Sequence, residues 1–151
     1  MKCNENIGRL FGTIHRHTRM HYNHEFADLG LGSGGHIFIL ELNKQDGMTQ
    51  NEITEKLHFD KAHTARTIVK FIELGYVTKV HDEYDKRAYR LYLTEKGKEI
   101  IPTIKHVIKN WADTITEDFS NDEKRTVFEL LTRIADKAVN SVKCTSAEKV
   151  N

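Results

Sequence analysis

The stretch Asp85-Lys86-Arg87-Ala88-Tyr89-Arg90-Leu91-Tyr92-Leu93-Thr94-Glu95-Lys96-Gly97 decides the fold. Tyr89, Leu91 and Leu93 fall on one face of an alternating segment, with Arg90 and Tyr92 on the other, the period-2 pattern of a half-buried strand. Residues 76–81 follow Gly75 and read as the partner strand. The connection 82–87 is too long for a two-residue hairpin, so Lys86 and Arg87 fall near a projecting, basic tip.

Upstream of this hairpin, Thr49-Gln50-Asn51-Glu52 has the spacing of a capping box and opens a short helix with Ile53 and Leu57 inward. Asp60 caps a further helix that Gly75 ends in the left-handed conformation. Only His58-Phe59 joins the two, which makes a helix-turn-helix. The fold class is therefore mostly α with a small β-wing (α+β), a winged helix-turn-helix over residues 31–98.

Long amphipathic helices flank this centre. A first helix over about residues 5–28 carries Ile7, Leu10, Phe11 and Ile14 at helical spacing. The glycine-rich 29–35 breaks it before a second, apolar helix over 36–44. After the wing, Thr94 caps a long helix carrying Ile100, Ile104, Val107, Ile108, Trp111 and Ile115, and Pro102 bends its first turns. Ser120-Asn121-Asp122-Glu123 is a second capping box, opening a last helix with Val127, Leu130, Leu131 and Ile134. A small winged helix does not need these stripes for its own core. Residues 1–30 and 99–151 are expected to pair with a second copy of the chain.

Composition bounds the function. The 151 residues fit one domain, or one domain plus an oligomerisation element, and the net charge of +1 does not by itself argue for nucleic acid. Local charge does: residues 61–94 hold seven basic against four acidic side chains, whereas 99–151 hold eight against nine. Cys3 and Cys144 have no metal-site spacing and read as free thiols, with redox pairing across a dimer as the alternative. No signal peptide and no apolar run of about 20 residues is present, so a cytoplasmic protein without membrane contact is expected.

On the 60–74 helix, Thr64, Thr67, Ile68, Phe71 and Leu74 face the core, leaving Lys61, Ala62, His63, Ala65, Arg66, Val69 and Lys70 outward. A recognition helix enters the major groove by its N-terminal half, where Ala62 and Ala65 give the backbone clearance. His63 suits a base edge, Arg66 a guanine or a phosphate, and Lys70 the backbone, with Lys61 among the cations that displace counterions. Thr49 and Gln50 bring a helix N-terminus to a phosphate oxygen. Arg87, beside Lys86, suits the narrow minor groove, and Asp85 is expected to orient Arg87 or Arg66 as well as to form the turn. Taken singly, each of these could be ordinary solvated surface; it is their shared face that favours DNA.

The pattern D-x-R-x-x-x-L-x-L-T-x-x-G in 85–97, with Met48-Thr49-Gln50 and residues 60–66, resembles the MarR family of winged-helix regulators over nearly the whole chain. The resemblance implies transcription control by an obligate homodimer on a palindromic double-stranded DNA operator, usually as a repressor; many such proteins release DNA on binding small phenolic or aromatic acids, and others respond to oxidants or zinc. No cofactor is expected.

Two readings of the signal site follow. His17, His21 and His24 lie at i, i+4 and i+7 with Glu25 near, the spacing of a zinc site. Zinc-sensing relatives also start the second helix with a histidine, as His36 does, but pair it with histidines of the fifth helix, where only His106 is available here. Alternatively, Arg16 or Arg19 meets the carboxylate of an aromatic effector near His36. Catalysis lacks support: the glycines of 30–35 follow a helix with no Gly-Lys-Ser/Thr after them, and His17-x-x-x-His21 lacks a metalloprotease glutamate. A winged helix that binds protein rather than DNA is the remaining rival, and the basic tip argues against it.

Overall fold

The computed structural model describes residues 3–32 and 34–148, with side chains over 6–32 and 34–142. The thiols of Cys3 and Cys144 thus lie outside the described residues. The chain divides into two compact units, Met1–Trp111 and Ala112–Asn151.

The first unit begins with α1 (Cys3–Glu25), which ends three residues before the sequence expectation. There the chain turns to bury Phe26 and Leu31, and the Leu31 N–H donates to the Phe26 carbonyl. Next come α2 (Gly35–Lys44), β1 (Met48–Thr49), α3 (Gln50–Leu57) and α4 (Lys61–Glu73). The wing strands β2 (Val77–His81) and β3 (Tyr89–Leu93) follow, then α5 (Glu95–Glu99) and α6 (Ile101–Ile115).

The caps are made as their residues dictate. Glu52 N–H donates to Thr49 Oγ1 (3.2 Å), and Thr49 N–H donates to the Glu52 carboxylate (2.7 Å). His63 N–H donates to Asp60 Oδ1 (2.7 Å), closing the first turn of α4. Gly75, at φ 76°, ends that helix and lets Tyr76 N–H reach back to the Phe71 carbonyl.

Two expectations needed correction. The hairpin is part of a three-stranded antiparallel sheet, in the order β1-β3-β2, because Met48 and Thr49 pair with Leu91 and Arg90. A two-residue strand has no alternation to betray it, and Thr49 also caps α3. The helix after the wing is two helices, not one bent helix. Pro102 has no N–H for the Lys98 carbonyl, so α5 stops and α6 restarts with Ile104 N–H on the Ile100 carbonyl.

Phe26, Phe38, Ile39, Leu42, Ile53, Phe71, Leu91 and Ile104 form one buried cluster that fixes α3, α4 and the sheet to α1, α2 and α6. The glycine of the 85–97 pattern has a steric cause: a Cβ at Gly97 would lie 2.2 Å from the Tyr76 carbonyl oxygen, a backbone atom that cannot step aside. Thr94 joins the same corner, donating to the Gly75 carbonyl (2.6 Å) and accepting from Gly97 N–H (3.0 Å).

The second unit is dominated by α7 (Asn121–Glu148), opened by the expected box between Ser120 and Glu123. Phe128, Leu130, Leu131 and Ile134 stand exposed along it.

Candidate nucleic-acid interface

Lys61, Ala62, Arg66, Val69 and Lys70 of α4 are exposed, whereas His63 and Ala65 are half-buried. The His63 ring meets Phe59 edge-on, with centroids 5.0 Å apart. Two depressions flank the helix. One, of about 370 Å³, runs toward the wing between Thr49, Gln50, Ala65, Val69 and Arg87. The other, of about 190 Å³, is edged by Gly32, His63, Arg66 and Lys70. The structure therefore brings Thr49, Gln50, Asp85 and Arg87 round one depression and His63, Arg66 and Lys70 round the other, while Lys61 and Lys86 line neither.

Thr49 differs from its expected role. Its backbone N–H and its hydroxyl are both engaged by Glu52, whose carboxyl these bonds hold below the usual carboxylate range. A negative charge already occupies that helix end, which leaves Gln50 and its neighbour Asn51 as exposed uncharged polar side chains there.

The wing tip brings a second correction. Asp85 holds no arginine side chain; its Oδ1 accepts from the Arg87 backbone N–H (2.9 Å), a turn bond. The carboxylate that grips an arginine is Asp82. Its Oδ1 accepts from Tyr84 N–H (2.8 Å) and Asp85 N–H (2.9 Å), while Oδ2 takes the Arg90 Nε–H. Those amides first, and Arg90 after them, hold the Asp82 carboxyl below its ordinary range. Arg90 also donates from Nη1 to the Gly47 carbonyl (2.8 Å). Lys86 and Arg87 are exposed as expected, and Tyr84, which the sequence reading passed over, is 95% exposed between the two turns. Asp82 and Arg90 were also missed, although an aspartate opening a D-x-x-D turn was their visible trace.

A third cavity, of about 480 Å³, opens between α1 and the starts of α2 and α4, with Arg19, Tyr22, His36, Ile37, Phe59 and His63 in its wall. His36 is 6% exposed, packed against Tyr22 and Phe26, and its Nδ1 is buried without a hydrogen-bond partner. Burial pulls its pKa down to about 4, so the ring is neutral at pH 7. Arg16 does not reach this cavity; its guanidinium donates to Thr13 Oγ1 one turn back on α1 (3.4 Å). The histidine stripe does not converge either. His17 Nδ1 bonds the Thr13 carbonyl (2.8 Å), and His21 stacks on Trp111 at 4.4 Å, with Trp111 Nε1–H donating to Thr18 Oγ1. His24 is exposed, and among the described residues no three metal-binding side chains come together.

A helix-turn-helix backed by a three-stranded sheet and followed by a basic wing defines a winged-helix protein, and residues 34–97 match the family described as a winged helix DNA-binding domain. A MarR transcriptional regulator from Methanosarcina mazei Go1 superposes with a TM-score of 0.84 at 31% identity, over 90% of this chain and 98% of that one. An uncharacterized HTH-type transcriptional regulator of Bacillus subtilis, YybA, is 30% identical over 85% of each chain. The chain belongs to the MarR family of transcriptional regulators, whose members are not enzymes. The fold also recurs, at 24% identity and a TM-score of 0.81 over 89% of this chain and 90% of that one, in a putative MarR family regulator from Listeria monocytogenes complexed with 26mer DNA.

Proposed function

We propose that this protein is a homodimeric, ligand-responsive repressor that binds a palindromic operator in double-stranded DNA. The observation that carries the reading is α4 itself: its exposed Val69 lines a depression shared with Arg87 of the wing, while Arg66 and Lys70 edge a second depression, and Lys61 and Lys86 are exposed. In this reading α4 enters the major groove, His63 and Arg66 meet bases, Lys61 and Lys70 meet phosphates, the Gln50 side chain approaches the backbone, and Arg87 enters the minor groove beside Lys86. Asp85 shapes the tip. That the same fold is complexed with 26mer DNA in the Listeria structure supports DNA as the partner.

Residues 1–30 and 99–151 form the self-association part, since α1 exposes Ile7, Leu10 and Ile14, and α7 exposes a stripe of its own. The two heads then reach successive major grooves about 10 base pairs apart. Such a protein works where the DNA is, in the cytoplasm, and none of its described helices is long and apolar enough to cross a membrane.

The effector site of the proposal is the cavity at His36. The N-terminus of α2 opens there without a side-chain cap, and Arg19 stands at the wall, so a carboxylate is favoured. Tyr22 and Phe59 suit an aromatic ring, and the orphaned His36 Nδ1 suits a hydroxyl, which can either donate or accept.

The test is a gel shift on duplexes selected from a random pool, with sedimentation velocity on the same protein. A dimer is expected, and Arg87→Ala is expected to lose about 10–100-fold in affinity while remaining a folded dimer. A monomer, or an Arg87→Ala variant that binds as wild type does, would sink the reading.

A further inference from the structure

One carboxylate, that of Asp82, ties the wing loop between β2 and β3 through Arg90 to the body of the first unit. Asp82 is a carboxylate in a residue only 7% exposed, and every bond it makes is to the loop or to its anchor. One oxygen gathers the N–H groups of Tyr84 and Asp85, and so fixes the backbone of the rising half of the loop. The other oxygen meets the Arg90 guanidinium, which continues to the Gly47 carbonyl in the corner between α2 and β1, 43 residues away in sequence. Two further bonds close the loop, Asp82 N–H to the Ala88 carbonyl and Ala88 N–H to the Asp85 carbonyl, both 2.9 Å. Arg87 sits inside this frame with its N–H on Asp85 and its side chain exposed.

We propose that Asp82 and Arg90 are the positioning residues of the wing: they hold its tip in one pose, so that Arg87 and Tyr84 meet DNA already ordered. The inference rests on the DNA-binding reading above. Arg90, though basic and on the wing, commits its guanidinium to Asp82 and the Gly47 carbonyl as a brace and is not one of the phosphate contacts. A free seven-residue loop would have to be ordered as it bound, and the affinity would fall by that entropy. A guanidinium is needed because two nitrogens of one rigid plane must serve two separate acceptors, which a lysine ammonium does not do.

The experiment is a double-mutant cycle on full-length protein and a duplex selected by the wild type. Asp82→Asn, Arg90→Gln and Arg90→Lys are each expected to weaken binding about 5–20-fold. Asp82→Asn combined with Arg90→Gln leaves no lone buried charge and should match either single variant, with an unchanged dimer and helical circular dichroism. The deciding measurement adds Arg87→Ala to Asp82→Asn. If Asp82 acts by placing Arg87, this pair binds within about twofold of Arg87→Ala alone, because little is left to misplace. Arg90→Gln should also leave more of the salt dependence in place than loss of a phosphate contact would, which lowers the slope by about one.

Losses that multiply in the double variant, or Asp82 and Arg90 variants that bind as wild type does, overturn the positioning role and leave the DNA reading standing. An Arg87→Ala protein with wild-type affinity overturns both.

Discussion

The winged unit and the last helix begin from the same sequence signal and end in opposite conditions. In the winged unit, apolar residues at helical and strand spacing converge, and Phe38, Ile53, Phe71 and Ile104 are sealed from solvent. On α7 the spacing of Phe128, Leu131 and Ile134 is as regular, yet Phe128 is 73% exposed, and no described residue of the second unit is fully buried. Periodicity states that a face needs cover. It does not state whether the cover lies in the same chain.

The contrast is sharpest in a pair of truncations. Phe38→Ala should cost about 3–5 kcal/mol of unfolding free energy, because it empties a closed core. Phe128→Ala should change the stability of the lone chain by less than about 0.5 kcal/mol and weaken self-association instead. Urea melts at fixed concentration and sedimentation across a dilution series separate the two effects. Equal losses of stability would break the comparison.

A second prediction concerns the buried histidine of the packed unit. The folded His36 ring stays neutral down to about 4, whereas in the unfolded chain it takes up a proton near 6.5. Between these values the unfolded state binds more protons, so stability falls as pH falls through that window, by about 3 kcal/mol in all. His36→Phe should flatten this part of the profile; urea midpoints at pH 7 and pH 4.5 that shift equally in both proteins would refute it.

The smallest effect belongs to backbone geometry rather than packing. His58 ends α3 at φ 54°, a left-handed conformation that disfavours a side chain. His58→Gly should gain about 0.5–1 kcal/mol, read as a higher denaturant midpoint. A lower midpoint would mean that the imidazole contributes more than its strain costs.

Much of the fold could be read in advance because its signals are local. Both capping boxes, the Asp60 cap, the Gly75 stop and the alternating strand each lie within a few residues, and each took the predicted form. What escaped depends on distant partners. Strand β1 exists only because β3 lies beside it. Asp82 could not be told from Asp85 in sequence, since both open turns and only the three-dimensional position of Arg90 separates them. The histidine stripe read as a unit because spacing ignores neighbours, and Trp111 recruits His21 from 90 residues away. The cavity at His36 is legible only when the starts of α2 and α4 are both in place.

The crowding at Gly97 has a practical counterpart at the other end of the chain. With a carbonyl oxygen 2.2 Å from where a Cβ would sit, position 97 refuses even alanine, and no probe or linker can be installed there. Gly8 has nothing within 4 Å, so a cysteine there, with Cys3 and Cys144 replaced by serine, could carry a fluorophore or spin label on α1 and test the proposed self-association directly.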